Sequence, residues 1–140
     1  MHTDVCGPNQ VSSLSVCRYY VTFIDDATRK TCMYHIQNKC NVFDNFKKWK
    51  ALFENETRNK LRCLRSENGG GYYNKEFDIY YSKHGIHRDK TVLGLPQENG
   101  VSERMNMTIM EHESCMRLHD GSSLQFWKHV KDVVLYLINR

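Results

Sequence analysis

A change of hydrophobic period near residue 42 constrains this chain more than any other feature. Before it, "RYYVTFI" (18–24) and "KTCMYHI" (30–36) are rich in β-branched and aromatic residues and flank the short polar connection "DDATR". That combination predicts an antiparallel hairpin. After it, Val42, Phe43, Phe46, Trp49, Leu52 and Phe53 recur at three- and four-residue intervals, with Lys47, Lys48 and Lys50 between them. The spacing predicts an amphipathic helix with one apolar stripe toward a core and a basic face toward solvent. Strands that give way to a one-sided helix require a layered fold, with helices laid on a sheet.

The remaining segments extend that plan. "MHTDVC" ahead of the hairpin reads as a further strand with an abrupt start, and "KLRCLRS" (60–66) and "IHRDKTV" (86–92) as two more. Between these two, "NKEFDIYYSKHG" (74–85) reads as a helix closed by Gly85. "GLPQENG" (94–100) is a loop broken by Pro96 and two glycines. A helical pattern resumes from Val101 through Met105, Ile109 and Met116, and a last helix presents Phe126, Trp127, Val130, Val133, Val134 and Leu137. The order describes an α/β domain with a mixed sheet covered by helices. At 140 residues one domain suffices, and about two-thirds of the unfolded surface can be buried.

Charge decides little. Twenty Lys and Arg against sixteen Asp and Glu leave a net +4, which permits a polyanionic partner without requiring one. Cysteines at 6, 17, 32, 40, 63 and 115 include no C-x-x-C pair, so the reading is reduced and mostly buried thiols. "MHTDVCGPNQ" lacks the basic end and apolar run of a signal peptide, and no run of about 18 apolar residues offers a membrane span. An intracellular protein is the expectation.

Three acids lie where chemistry is feasible: Asp4 beside the first strand, Glu67 where a later strand meets three glycines, and Glu103 at the start of a helix after the Pro/Gly loop. Each has an ordinary explanation. Acids are common in turns, and an acid in a first helical turn is favoured by the helix dipole. Five ordered blocks bring them together: "HTDVCGP", "YYVTFIDDATRK", "LRSENGGGYYNKEF", "HGIHRDKTV" and "PQENGVSERMN". In these blocks and in the closing "FW…YLINR" pattern, the sequence resembles the integrase catalytic core of copia-type retrotransposons, a branch of the retroviral integrase superfamily.

The resemblance implies an RNase H-like fold, a five-stranded mixed sheet with helices on both faces, here with a shortened first strand. It implies a site of three carboxylates, the last two separated by thirty-five residues. Glu67 and Glu103 satisfy this, since 103 − 67 = 36. Matched by motif, Asp4, Glu67 and Glu103 are the catalytic and metal-binding residues. The implied cofactor is a pair of Mg2+ or Mn2+ ions, because in-line displacement at phosphorus calls for hard oxygen ligands around cations about 4 Å apart. The implied partner is DNA, with Gln97, Asn99 and Arg104 beside Glu103 as candidate contacts and Arg62, Arg65, Lys83, Arg88 and Lys90 as scattered positive charge. A homodimer and a nuclear location follow in the same way, and the implied reaction joins element DNA ends to target DNA.

Three departures stand out. The pattern carries aspartate where this chain has Glu67, an acid where it has Gly71, and a basic residue where it has Met107. A longer side chain keeps the charge but displaces the carboxylate by on the order of 1 Å, and a misplacement of that size can cost about a hundredfold in rate. The expectation is therefore weak or absent strand transfer. The alternative function is a non-catalytic, nucleic-acid-binding or self-associating remnant of a polyprotein, and RNase H-type hydrolysis is a third reading. The resemblance also leads one to expect an upstream zinc-binding domain and downstream DNA-binding segments outside these residues.

Other constellations have plainer explanations. Asp25 and Asp26 fit turn chemistry at the hairpin tip. His84 and His87 fit a helix C-terminus and the strand after it. The Lys47, Lys48 and Lys50 cluster reads as a solvated helix face.

Overall fold

The computed structural model describes residues 1–66, 75–90 and 100–140. β1 (His2–Cys6), β2 (Tyr19–Ile24) and β3 (Thr31–Ile36) form an antiparallel meander, and the expected hairpin is β2–β3. β4 (Cys63–Ser66) adds parallel to β1, and β5 (His87–Lys90) adds parallel to β4. The result is a five-stranded mixed sheet in the order β3-β2-β1-β4-β5. Four helices accompany it among the described residues: α1 (Val42–Thr57), α2 (Lys75–His84), α3 (Gly100–Asp120) and α4 (Trp127–Ile138). No helix among the described residues is long and apolar enough to cross a membrane.

Successive strand residues point to opposite sheet faces, and the two faces are built differently. On one, Val21 and Phe23 of β2 and Leu64 of β4 pack with Val42, Phe46 and Trp49 of α1 and Phe77 and Tyr81 of α2. Phe23 stacks on Trp49 with ring centroids 4.6 Å apart and planes 10° from parallel. Fully burying one such side chain contributes roughly 1.5–3 kcal/mol, so this cluster is the main core. On the other face, Tyr20 packs with Cys17 and Trp127, and Cys6 and Met33 border them.

β1 supplies five residues, all paired with β2, and Asp4 lies opposite Thr22. The strand ends at Gly7, whose φ is +124°; a Cβ there would meet the Arg18 carbonyl oxygen at 2.8 Å. Only glycine accepts both the angle and that approach. α2 ends at Gly85 with φ +64°, where Ile86 N–H donates to the Tyr81 carbonyl at 3.0 Å and closes the last turn.

Several side-chain expectations are corrected. Leu52 is exposed, and Lys50, read as part of a solvated face, is only 6% exposed. Lys50 Nζ pairs with Glu54 at 2.9 Å, and the other Glu54 oxygen accepts Leu61 N–H at 3.0 Å. Glu54 thus ties α1 to the segment leading into β4, and Lys50 is its cationic partner within the helix. Phe126, in the short turn just before α4, and Val133 and Leu137 on α4 are exposed, and the buried stripe is Trp127, Lys131 and Val134. On α3, Met105 is half-buried and Met116 exposed, while the buried stripe is Ser102, Asn106, Ile109 and Glu113. All six thiols are free, but only Cys17 is buried; Cys40 and Cys115 are exposed.

Candidate active site

Asp4 sits mid-strand on β1, half-buried, on the face that carries Tyr20 and Thr22. Its Oδ1 accepts the Val5 backbone N–H at 2.7 Å. Its Oδ2 accepts Asn106 Nδ2–H at 2.8 Å and the Cys6 thiol at 3.6 Å. These donors are neutral, so they orient the carboxylate while its charge stays on two hard oxygens. Burial, together with the charge of Asp4, pushes the Cys6 thiol up to about 12, so Cys6 stays protonated and acts as a donor here.

Asn106 comes from α3, and its bond to Asp4 fixes this helix against β1. Glu103 lies three residues earlier in the first turn and is exposed. At 100° per residue the two positions are about 60° apart around the helix axis. The contact at Asn106 therefore brings the turn bearing Glu103 to the Asp4 side of the sheet. Arg104 is exposed and donates its Nε–H back to the Gly100 carbonyl at 2.9 Å, staying on its own helix. Met107 is 61% exposed.

Glu67, Gln97 and Asn99 lie outside the described residues, as do Gly71 and most of the 94–100 loop. The last residue of β4, Ser66, pairs with Thr3, the neighbour of Asp4. Glu67 thus follows directly in sequence on a residue that is itself beside Asp4's neighbour. Among the described residues no group of three or more His, Cys, Asp or Glu side chains is disposed to hold a metal ion.

No family model matches the chain. Over 140 residues, the whole chain, it is 48% identical to the retrovirus-related Pol polyprotein from transposon TNT 1-94 of Nicotiana tabacum, of which it covers 10%. Its homologues are retrotransposon Pol polyproteins. A second, from transposon RE2 of Arabidopsis thaliana, is 35% identical over 143 residues, and the chain covers 9% of it. The chain thus spans about a tenth of the length of these Pol relatives. Its fold matches a chain in the simian T-cell lymphotropic virus intasome in complex with PP2A regulatory subunit B56 gamma. The TM-score is 0.75, with 13% identity, over 99% of this chain and 48% of that one. The mixed sheet with its helices is the RNase H-like fold of retroviral integrase.

Asp25, Asp26 and His84, singled out in the sequence, have structural partners. Asp25 Oδ2 accepts both the N–H and the hydroxyl of Thr28, at 3.0 and 2.7 Å, which is turn chemistry. Asp26 does more than the sequence indicates: its Oδ1 contacts the buried His2 Nε2 at 2.8 Å and ties β1 to the hairpin. His84 Nδ1 bonds the Tyr80 carbonyl at 3.0 Å at the end of α2. Sequence reasoning missed Asn106 and Thr22 as parts of the site. Asn106 stands inside the quoted "SERMN" block, one turn after Glu103. That spacing was the available signal.

Proposed function

We propose that this chain is the catalytic-core segment of a DNA-integrating polynucleotidyl transferase, with Asp4, Glu67 and Glu103 as its metal-binding carboxylates. The observation that supports the reading is the 2.8 Å hydrogen bond from Asn106 Nδ2 to Asp4 Oδ2, which joins α3, the helix whose first turn bears Glu103, to the central strand. Homology to retrotransposon Pol polyproteins and the fold of retroviral integrase support it. The donor set suits Mg2+ or Mn2+: it consists of carboxylate oxygens, and the Val5 N–H and Asn106 amide that donate to Asp4 are neutral groups. Two such ions supply activation of an attacking hydroxyl and stabilisation of the departing oxygen.

The protein's own part is positional. Asp4 lies on a strand paired with β2 along its length and with β4 at His2 and Thr3, which holds its backbone in place. Glu103, on a first helical turn, completes the site from above the sheet. Gln97, Asn99 and Arg104 are assigned to the DNA backbone near the reacting phosphate. The substrate is DNA, the compartment the nucleus, and the working form an assembly of at least two copies.

A second reading, a non-catalytic nucleic-acid-binding remnant, has one observation in its favour. Met107, where the motif carries a basic residue, is exposed on the helix that bears Glu103, and an apolar side chain there forgoes a phosphate contact. An oligonucleotide assay with Mg2+ or Mn2+ separates the two. The enzymatic reading requires slow metal-dependent joining or nicking that disappears in both Asp4→Asn and Glu103→Gln. DNA binding without any such reaction supports the second reading, and activity that survives both substitutions refutes the assigned site.

A further inference from the structure

We infer that Thr22 is a positioning residue for the Asp4 carboxylate, acting through Asn106; the inference rests on the carboxylate-site reading above and deepens it. Thr22 and Asp4 are directly opposed in the β1–β2 register and face the same side of the sheet. The Cβ atoms of such a pair lie about 5 Å apart, a gap that one carboxamide can bridge. Asn106 fills it. Its Nδ2 donates to Asp4 Oδ2 at 2.8 Å and its Oδ1 accepts from Thr22 Oγ1 at 3.1 Å. Thr22 is 0% and Asn106 4% exposed.

The chemistry permits one orientation of the amide. A carboxylate accepts and does not donate, so the amide must turn Nδ2 toward Asp4. Oδ1 is then buried and needs a donor, which the Thr22 hydroxyl provides. Valine has the shape of threonine and suits a strand equally well, so strand formation does not account for the hydroxyl. Buried polar groups are retained where they are satisfied, and the partner of this one is Asn106. The relay joins β2, α3 and β1. It holds the amide in a single orientation, and the amide in turn holds Asp4 and the turn carrying Glu103 in fixed relation.

The test compares the full chain with Thr22→Val and Thr22→Ser. Three quantities are read: the thermal midpoint, the Asn106 side-chain amide resonances, and Mn2+ affinity from water-proton relaxation. In Thr22→Val the midpoint is expected to move by only a few degrees while the Asn106 resonances shift. Mn2+ affinity is expected to fall by about tenfold, the range found for groups that orient metal ligands. Thr22→Ser should restore both site readouts. Thr22→Ala serves the same comparison if the valine variant does not fold. Unchanged Asn106 resonances in a folded Thr22→Val protein would overturn the relay, as would a failure of serine to restore them. If Mn2+ does not bind the unsubstituted chain, the metal-site reading fails, while the Asn106 resonances still decide for or against the relay.

Discussion

Lys131 of α4 places its ammonium 5.1 Å from the ring centre of Trp127 and 5.0 Å from that of Tyr20, with a side chain only 2% exposed to water. Glu113 of α3 is its carboxylate partner at 3.8 Å, and the same carboxylate accepts Arg117 Nε–H at 3.2 Å. Burial lowers the Lys131 pKa, and Glu113 opposes that shift. The arrangement is asymmetric: Glu113 has two cations, whereas Lys131 leans on one carboxylate and two ring faces. Removing one partner of a buried pair costs about 3–5 kcal/mol when it strands the other charge. Glu113→Ala is therefore expected to destabilise by that order. Lys131→Met, which leaves Glu113 with Arg117, should cost less than half as much. Urea midpoints of the two variants check the ranking, and equal losses would contradict it.

The two readings of α1 make different predictions at neighbouring turns. Phe46 is fully buried among Phe23, Trp49, Phe77 and Tyr81, whereas Leu52 is exposed despite its place in the sequence's apolar stripe. Phe46→Ala is expected to cost about 3–5 kcal/mol. Leu52→Ala should fall within about 0.5 kcal/mol of the unsubstituted protein, as surface changes do. Denaturant unfolding of both proteins, read as midpoint with unchanged slope, tests the observed helix face.

Where the sequence was legible, the side chains concerned make local or purely apolar arguments. β2 and β3 appear within one residue of their expected limits, and α1 begins at Val42 as expected but continues to Thr57, four residues past Phe53, because β-branched runs and the three-to-four spacing report burial directly while the polar last turn carries no such signal. α3 was legible as a helix but not in its facing. Three of its four buried residues, Ser102, Asn106 and Glu113, are polar, and what buries them is distant in sequence: Asp4 and Thr22 for Asn106, Lys131 for Glu113. Periodicity of hydrophobicity cannot report a stripe held by hydrogen bonds and ion pairs. Lys50 and Lys131 were hidden for the same reason, since a lysine counts as surface until its partner is known. Within the site, the motif located Asp4 and Glu103 on their elements, but the contact that relates those elements runs through Asn106, which carries no charge to attract notice.

His35 gives the fold an acid limit. It lies on β3 with Nε2 2.7 Å from Asp132 and its ring 5.5 Å from that of Trp127, centre to centre. Burial lowers its pKa below 6.5, more than the hydrogen bond to Asp132 raises it. The unfolded chain thus binds more protons between the folded pKa and 6.5. Stability is highest above pH 6.5 and falls as the pH drops through that window, by at most about 1.4 kcal/mol per pH unit for one proton. His2, also lowered mainly by burial, adds in the same direction. His35→Leu is expected to flatten the dependence between pH 7.5 and 5.5 without abolishing it. An unchanged slope in urea unfolding across that range would show that His35 is not the group responsible.

In the proposed reaction, Glu67 is the residue on which catalytic competence is expected to turn. It follows Ser66, whose backbone is paired with Thr3 beside Asp4, so in sequence it is tethered to the neighbourhood of the site. Its extra methylene relative to aspartate preserves charge and alters reach by on the order of 1 Å, whereas efficient transfer tolerates misplacements of only about 0.5 Å. Binding of a divalent cation depends mainly on charge and oxygen donors, and chemistry depends on in-line geometry. Glu67→Asp is therefore expected to change Mn2+ affinity by less than about threefold while raising the metal-dependent joining rate by about ten- to a hundredfold. The two quantities are measured on the same preparations, by water-proton relaxation and by conversion of a labelled oligonucleotide. A rate that stays level, or a gain in rate matched by an equal gain in affinity, would show that the length of this side chain does not limit the reaction.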